Sequence, residues 1–375
     1  MSAPGIDSIL EVDRTDVGTT RLVDVPLAPL APGEVRAEVE RFALTANTIT
    51  YAVAGDMLGY WDFYPSELPW GRVPAMGWAR IVESAHPEVE VGGRYFGWFP
   101  MSRFVTAQVS PTTGGLRDDG PHRRSHAAVY RAWTDTRSDP DHPGPDHPGP
   151  DPDDPDPDAE DRHALLRGLF LTGFLAEEFF ADASYHGAES VIVLSASSKT
   201  AIGFAQNAKT RGTVRVVGVT STPNTDFVRS VGSYDDVIAY DDLDAIDAAA
   251  DAVVIDMAGN RSVLADVHAR LGDHVKYSMA VGMSHHDAPP ADIEHGPAPQ
   301  MFFAPSEIPR RIAAWGATGY QERTAAALEA FVEGSRDWLR VERSNGAEAA
   351  ERTWHDVADG RVPPDVGRIV SLHPA

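Results

Sequence analysis

The sequence predicts a two-domain α/β protein, in which a doubly wound parallel sheet is inserted into a β-rich domain. Three observations carry this prediction. A chain of 375 residues with 42% hydrophobic content is too long for one ordinary domain and suits two. From Val191 to Val281, short apolar runs alternate with helically spaced segments, the pattern of a parallel sheet covered by helices. Before that stretch lie period-two segments bounded by Pro and Gly, and the chain ends on a further strand pattern.

Residues 33–40 alternate polar with small or apolar side chains after the turn chemistry of residues 29–33. Residues 77–83 and 93–99 are further strand candidates. Before these two, residues 59–70, "GYWDFYPSELPW", combine five aromatics with two prolines, a poor strand or helix but the composition of a loop that lines an apolar ligand pocket. Residues 141–158 are a low-complexity tract with a duplicated DHPGP unit. Residues 139–161 hold ten acidic residues and no Lys or Arg, so residues 139–162 are expected to form a disordered surface insertion. His142 and His147 lie in this tract without fixed geometry, and no metal site is expected there.

Helical spacing resumes over residues 164–183. Strands follow at 191–194, 214–219, 237–238, 252–255 and 275–281, with helices at 201–209, 226–231 and 263–271 between them. Their crossovers are expected to be right-handed. Beyond these, residues 309–315, 323–334 and 347–359 read as helices, and 338–341 and 368–370 as strands. Residues after about Met301 are expected to rejoin the N-terminal domain.

The net charge of −24 argues against nucleic-acid or anionic-membrane partners, which need clustered Lys and Arg. With no cysteine there is no disulfide, no thiolate chemistry and no Cys-ligated zinc. Neither a signal peptide nor a membrane-length apolar run is read, so a cytoplasmic protein is expected. Only Lys199, Lys209 and Lys276 are lysines, and the first falls in "VIVLSASSKTAIGFAQNAK", a strand running through a tight loop into a helix.

The order "LAPGEVRAEVERFALTANTITYAVAGD", "VPAMGWARIVES", "GGRYFGWF", the serine-rich loop, "VVGVTSTPNTDFVRSVGSYDDVIAYDD", "DAVVIDMAG" and "ADGRVPPDVGRIVSL" resembles the medium-chain dehydrogenase/reductase superfamily. It looks closest to the zinc-free, quinone-oxidoreductase-like branch. More narrowly it resembles the family DUF2855, with "FFAPSEIPRRIAAWG" as a distinctive piece. The resemblance implies a GroES-like catalytic domain (1–138 and 301–375) and a Rossmann domain (163–300), with cofactor and substrate meeting in the cleft. It also implies a fairly apolar small-molecule substrate and, since superfamily members are often dimers, a homodimer.

Asn47 stands where zinc-dependent relatives carry their first ligand Cys, so zinc alcohol dehydrogenation is excluded. Alignment with the superfamily's glycine-rich turn puts Ser195, Lys199 and Ala201 at positions where glycines are usual, and Gly203 is expected to ease helix–strand packing. Hydroxyls of Ser197, Ser198 and Thr200, the amides of the helix start and Lys199 are the candidate phosphate ligands. Ser197 or Ser198 also suits a plain helix cap. Lysine in a first turn opposes the helix dipole, which an anion would relieve.

The second strand ends in Thr220 and Ser221, with Asn224 close behind and no carboxylate until Asp226. That favours NADPH over NADH, with Arg229 the nearest cation. Met257 and Ala258 are expected beside the bound cofactor. Asn47, Tyr51, Tyr60 and His285 are the candidate donors to a developing enolate oxygen. The expected activity is zinc-independent, NADPH-dependent reduction of an activated alkene, enone or quinone-like molecule. The alternative is a non-redox enzyme of lyase or retro-aldol type on the same scaffold.

Overall fold

The computed structural model describes residues 5–137, 157–282 and 292–374. Its contacts divide the chain into two compact units: Met1–Leu165 with Arg340–Ala375, and Leu166–Leu339.

The first unit opens with β1 (Ile6–Asp13), β2 (Thr20–Pro26) and β3 (Glu34–Leu44), then α1 (Ala46–Val53) and the single turn α2 (Gly55–Leu58). Strands β4 (Trp70–Gly71), β5 (Pro74–Ser84), β6 (Arg94–Pro100), β7 (Phe104–Thr112) and β8 (Gly115–Asp118) follow. The turn α3 (Ala128–Arg131) then leads into β9 (Ala132–Asp135). The aromatic segment after α2 packs inward: Tyr60, Trp61, Phe63 and Tyr64 are all buried. Trp61 lies so close to Gly55 and Gly71 that a Cβ at either would stand 2.1 Å or 2.3 Å from its ring atoms.

Helix α4 (Pro157–Asp182) begins in this unit and ends in the second. It corrects the expected insertion, because its first turns are ordered and paired. Glu160 and Asp161 are fully buried. Arg41 reaches both, with Nε 2.6 Å from Asp161. Arg94 Nη2 donates to Glu160 at 2.9 Å, and Arg343 Nε to Asp161 at 2.5 Å. Buried carboxylates require such partners, and the guanidiniums come from segments far away in sequence. The tract 141–156 lies outside the described residues.

The second unit alternates β10 (Ser190–Leu194), α5 (Lys199–Arg211), β11 (Arg215–Thr220), α6 (Thr225–Val231), β12 (Asp236–Ala239), β13 (Ala252–Asp256), α7 (Arg261–Leu271), β14 (Val275–Ala280) and β15 (Gln300–Met301). They form a parallel six-stranded sheet in the order β12-β11-β10-β13-β14-β15. β10 and β13 are buried along their whole length, which is why they read as apolar runs without alternation. α8 (Ala304–Gly334) is broken at Gly316, whose φ of 76° and ψ of 161° are not helical, so the two predicted helices are its two halves.

The chain returns to the first unit at Arg340 rather than Met301, because α8 packs within the second unit. β16 (Arg340–Asn345), α9 (Ala347–Ala358) and β17 (Val366–Ser371) complete an eight-stranded sheet, β16-β17-β3-β5-β6-β9-β8-β7, with β3 also pairing with β7. Trp354 of α9 is fully buried and donates its indole N–H to the Val17 carbonyl at 2.8 Å.

Candidate functional site

At the carboxyl ends of β10, β11 and β13, three loops come together in the second unit. That is where a doubly wound sheet presents its ligand site. β10 ends at Ser195, which adopts φ +54°, a left-handed conformation that favours glycine. Ser195 thus keeps the backbone shape expected of a glycine there. Ser198 N-caps α5: its Oγ accepts from the Ala201 amide at 3.2 Å. Ser197 Oγ accepts from Asn224 Nδ2 at 3.2 Å, joining two of the predicted residues across neighbouring loops. In both serines the hydroxyl oxygen receives the bond, and the hydroxyl proton is unspent among the described residues.

No acidic residue stands in the first turn of α5, where Lys199 and Thr200 are half-buried. Gly203 faces α4 rather than the sheet: a Cβ on it would stand 3.2 Å from Phe170. The glycine therefore serves helix–helix packing, a correction to the helix–strand role expected for it. Gly173 makes the reciprocal approach from α4, since its Cβ would lie 2.6 Å from the Thr200 carbonyl oxygen.

At the end of β11, Thr220 is buried and its Oγ1 has no hydrogen-bond partner among the described residues. Such an orphan costs roughly 1–3 kcal/mol unless a ligand meets it. Ser221 precedes a short 3₁₀ turn, and Thr222 donates to Asp241 at 2.6 Å, so one carboxylate does approach this loop. Arg229, the nearest predicted cation, pairs with Asp226 at 3.2 Å on the surface. At the end of β13, Met257 and Ala258 are buried. Asp256 shapes their loop by accepting from the amides of Ala258 at 3.1 Å and Gly259 at 2.9 Å.

The first unit gathers Asn47, Tyr51 and Tyr60. Asn47 and Tyr51 lie one turn apart on α1, and the Tyr51 and Tyr60 rings meet edge-on at 4.7 Å. Trp98 Nε1 donates to the Tyr51 hydroxyl at 3.2 Å. An indole N–H can only donate, so the phenol proton is not used in this bond. Burial, then neighbouring Tyr60, pushes the Tyr51 pKa up, while Trp98 and Asn47 pull it down; the net shift is upward. Tyr60 is likewise raised by burial and shares a 3.2 Å hydroxyl contact with Tyr130. Burial thus keeps both phenols protonated at ordinary pH.

His285 lies outside the described residues. Sequence reasoning missed Trp98, Tyr130, Tyr234 and Tyr240, all of which touch a candidate residue or its loop. Only their contacts mark them, since each is distant in sequence from the residue it serves. Among the described residues, no group of three or more His, Asp or Glu side chains could hold a metal ion.

Solved structures place the architecture. CurA from Vibrio vulnificus in complex with NADPH matches with a TM-score of 0.62 at 14% identity, covering 98% of this chain and 100% of that one. The yhdH oxidoreductase from Salmonella enterica in complex with NADP matches at 0.53 and 15% identity, covering 97% and 99%. CurK enoyl reductase matches at 0.53 and 15%, covering 97% and 99%. No curated protein matches by sequence. A β-rich unit made from both chain ends and a parallel-sheet unit between them define the medium-chain dehydrogenase/reductase fold. Within it, residues 42–363 match the family described as "Protein of unknown function (DUF2855)", and the chain belongs to that family.

Proposed function

We propose that this chain is a zinc-independent, NADPH-dependent oxidoreductase that reduces an activated alkene, enone or quinone-like small molecule. The observation that carries the reading is the β10–Ser195–α5 turn: a glycine-like backbone at Ser195 followed by a helix start with no acidic side chain in its first turn. The unpartnered Thr220 hydroxyl beside it fits a ligand's polar group. Structures of the same fold described as complexes with NADPH or NADP support the choice of cofactor. The hydroxyls of Thr220 and Ser221, with Asn224, suit a 2′-phosphate better than a bare ribose diol, which an Asp or Glu would hold.

In this reading, Ser197, Ser198 and the first amides of α5 hold the pyrophosphate, and Lys199 adds charge. Ser195 and the Asp256-braced loop at Met257 and Ala258 shape the floor of the site. NADPH, when bound, supplies the hydride. Reduction of a conjugated C=C leaves negative charge on the carbonyl oxygen, and a neutral donor of high pKa stabilises it without first ionising. Tyr51 is the best-placed donor, its oxygen fixed by Trp98 and its proton unspent; Tyr60 and Asn47 are its neighbours.

The test is NADPH oxidation by the full-length protein with 1,4-naphthoquinone and 2-cyclohexen-1-one, with reduced product identified by mass spectrometry. Cofactor-dependent formation of either reduced product supports the proposal. Binding of NADPH with no oxidation by these probes or a wider quinone and enone panel would favour the non-redox alternative.

A further inference from the structure

The strained turn at Ser195 has a buried support that the proposed function does not use. Tyr234 lies just before β12 and is almost wholly buried. Its hydroxyl donates to the Ala196 carbonyl oxygen at 2.8 Å. Its ring passes so close to β11 that a Cβ on Gly218 would stand 2.7 Å from it and 3.0 Å from the Ala196 Cβ. The Ala196 amide donates to the Val219 carbonyl at 3.1 Å, so both polar backbone groups of Ala196 are tied. On the far side of β12, the Tyr240 hydroxyl lies 3.4 Å from Ser195 Oγ, and the Tyr240 amide donates to the Thr220 carbonyl at 2.8 Å.

We infer that Tyr234, assisted by Tyr240, is a positioning residue that clamps Ser195 and Ala196 in the left-handed turn and so shapes the cofactor cradle. A left-handed conformation is disfavoured for a non-glycine residue. Glycine would take it freely. A serine in that place therefore needs its neighbours to over-determine the turn. The clamp is anchored in the core, and the space for it exists because position 218 is glycine. The inference rests on the NADPH reading for its functional consequence, but not for its structural one.

The test uses the full-length chain and three variants: Tyr234→Phe, Ser195→Gly, and both together. NADPH dissociation constants are read by tryptophan fluorescence and unfolding midpoints in urea. Tyr234→Phe keeps the ring and is expected to weaken NADPH about five- to tenfold, the effect of one lost hydrogen bond. Ser195→Gly alone sets the reference affinity of a turn that glycine holds unaided. Adding Tyr234→Phe to it is expected to shift affinity by less than about twofold from that reference. Unchanged affinity in Tyr234→Phe, or the same fold loss when it is added to Ser195→Gly, would overturn the clamp. If wild type binds no NADPH, the proposed function fails and the urea midpoints decide the clamp. Ser195→Gly should then raise the midpoint more in the Tyr234→Phe background than in wild type, and an equal rise in both overturns it.

Discussion

Tyr51 is the side chain on which the proposed chemistry depends most. Its oxygen accepts from Trp98 and burial pushes its pKa upward, so the phenol keeps its proton throughout the ordinary pH range. Tyr51→Phe is expected to lower turnover about a hundredfold, within the range for loss of a catalytic proton donor. NADPH affinity should stay unchanged, because the cofactor residues belong to the other unit. Stopped-flow oxidation alongside a binding titration separates the two. Asn47 and Tyr51 could be singled out in the sequence only through the family pattern around "ALTANTITY", and Tyr60 only as part of the aromatic segment "GYWDFYPSELPW". Trp98 and Tyr130 were not, because a tryptophan in an aromatic strand reads as core until its N–H is seen to serve a phenol. The serine-rich loop could be read as a candidate phosphate site, but the left-handed φ of Ser195 could not, since serine gives no sign of it.

Among the elements, the contact of α4 with α5 sets where the start of α5 stands. Gly173 and Gly203 let the two helices approach, and a Cβ on Gly173 would meet the Thr200 carbonyl oxygen at 2.6 Å and the Phe204 nitrogen at 2.7 Å. Gly173→Ala must push the first turns of α5 away from α4. The expected result is a loss of about 1–3 kcal/mol in urea unfolding, typical of overpacking, together with weaker NADPH binding. Similarly, Glu160→Ala removes one carboxylate partner from Arg41 and Arg94, which keep Asp161 and Glu40, and should cost about 1.5–3 kcal/mol in the same measurement. The strands of the parallel sheet were readable because fully buried strands are continuous apolar runs. The start of α4 was not, because Pro157, Asp158, Glu160 and Asp161 continue the acidic composition before them. Only the arginines of β3, β6 and β16 explain why those carboxylates are folded. The short strands β1, β2, β4, β7, β8 and β9 also escaped, since their pairing is set by partners distant in sequence.

For the whole molecule, stability should carry an imprint of one buried carboxylate. Asp7 accepts from the amides of Arg103 at 3.0 Å and Phe104 at 2.9 Å, yet burial outweighs these bonds and raises its pKa from 3.8 to about 6. Between those values the folded chain holds a proton that the unfolded chain has released. The Asp7 contribution to stability therefore falls as pH rises through this window, and is level on either side of it. Asp7→Asn can still accept from both amides through its carbonyl oxygen. Relative to wild type it should gain about 2 kcal/mol between pH 4 and pH 7, at 1.36 kcal/mol per pKa unit. Urea unfolding at both pH values reads this difference, and an unchanged difference would show that Asp7 is not desolvated. The reading of the chain as a whole depends on the cofactor. Titration of the full-length protein with NADPH and NADH, followed by tryptophan fluorescence and confirmed by calorimetry, tests it most directly. The account predicts saturable NADPH binding below millimolar concentration and weaker NADH binding. No binding of either at millimolar concentration would contradict it.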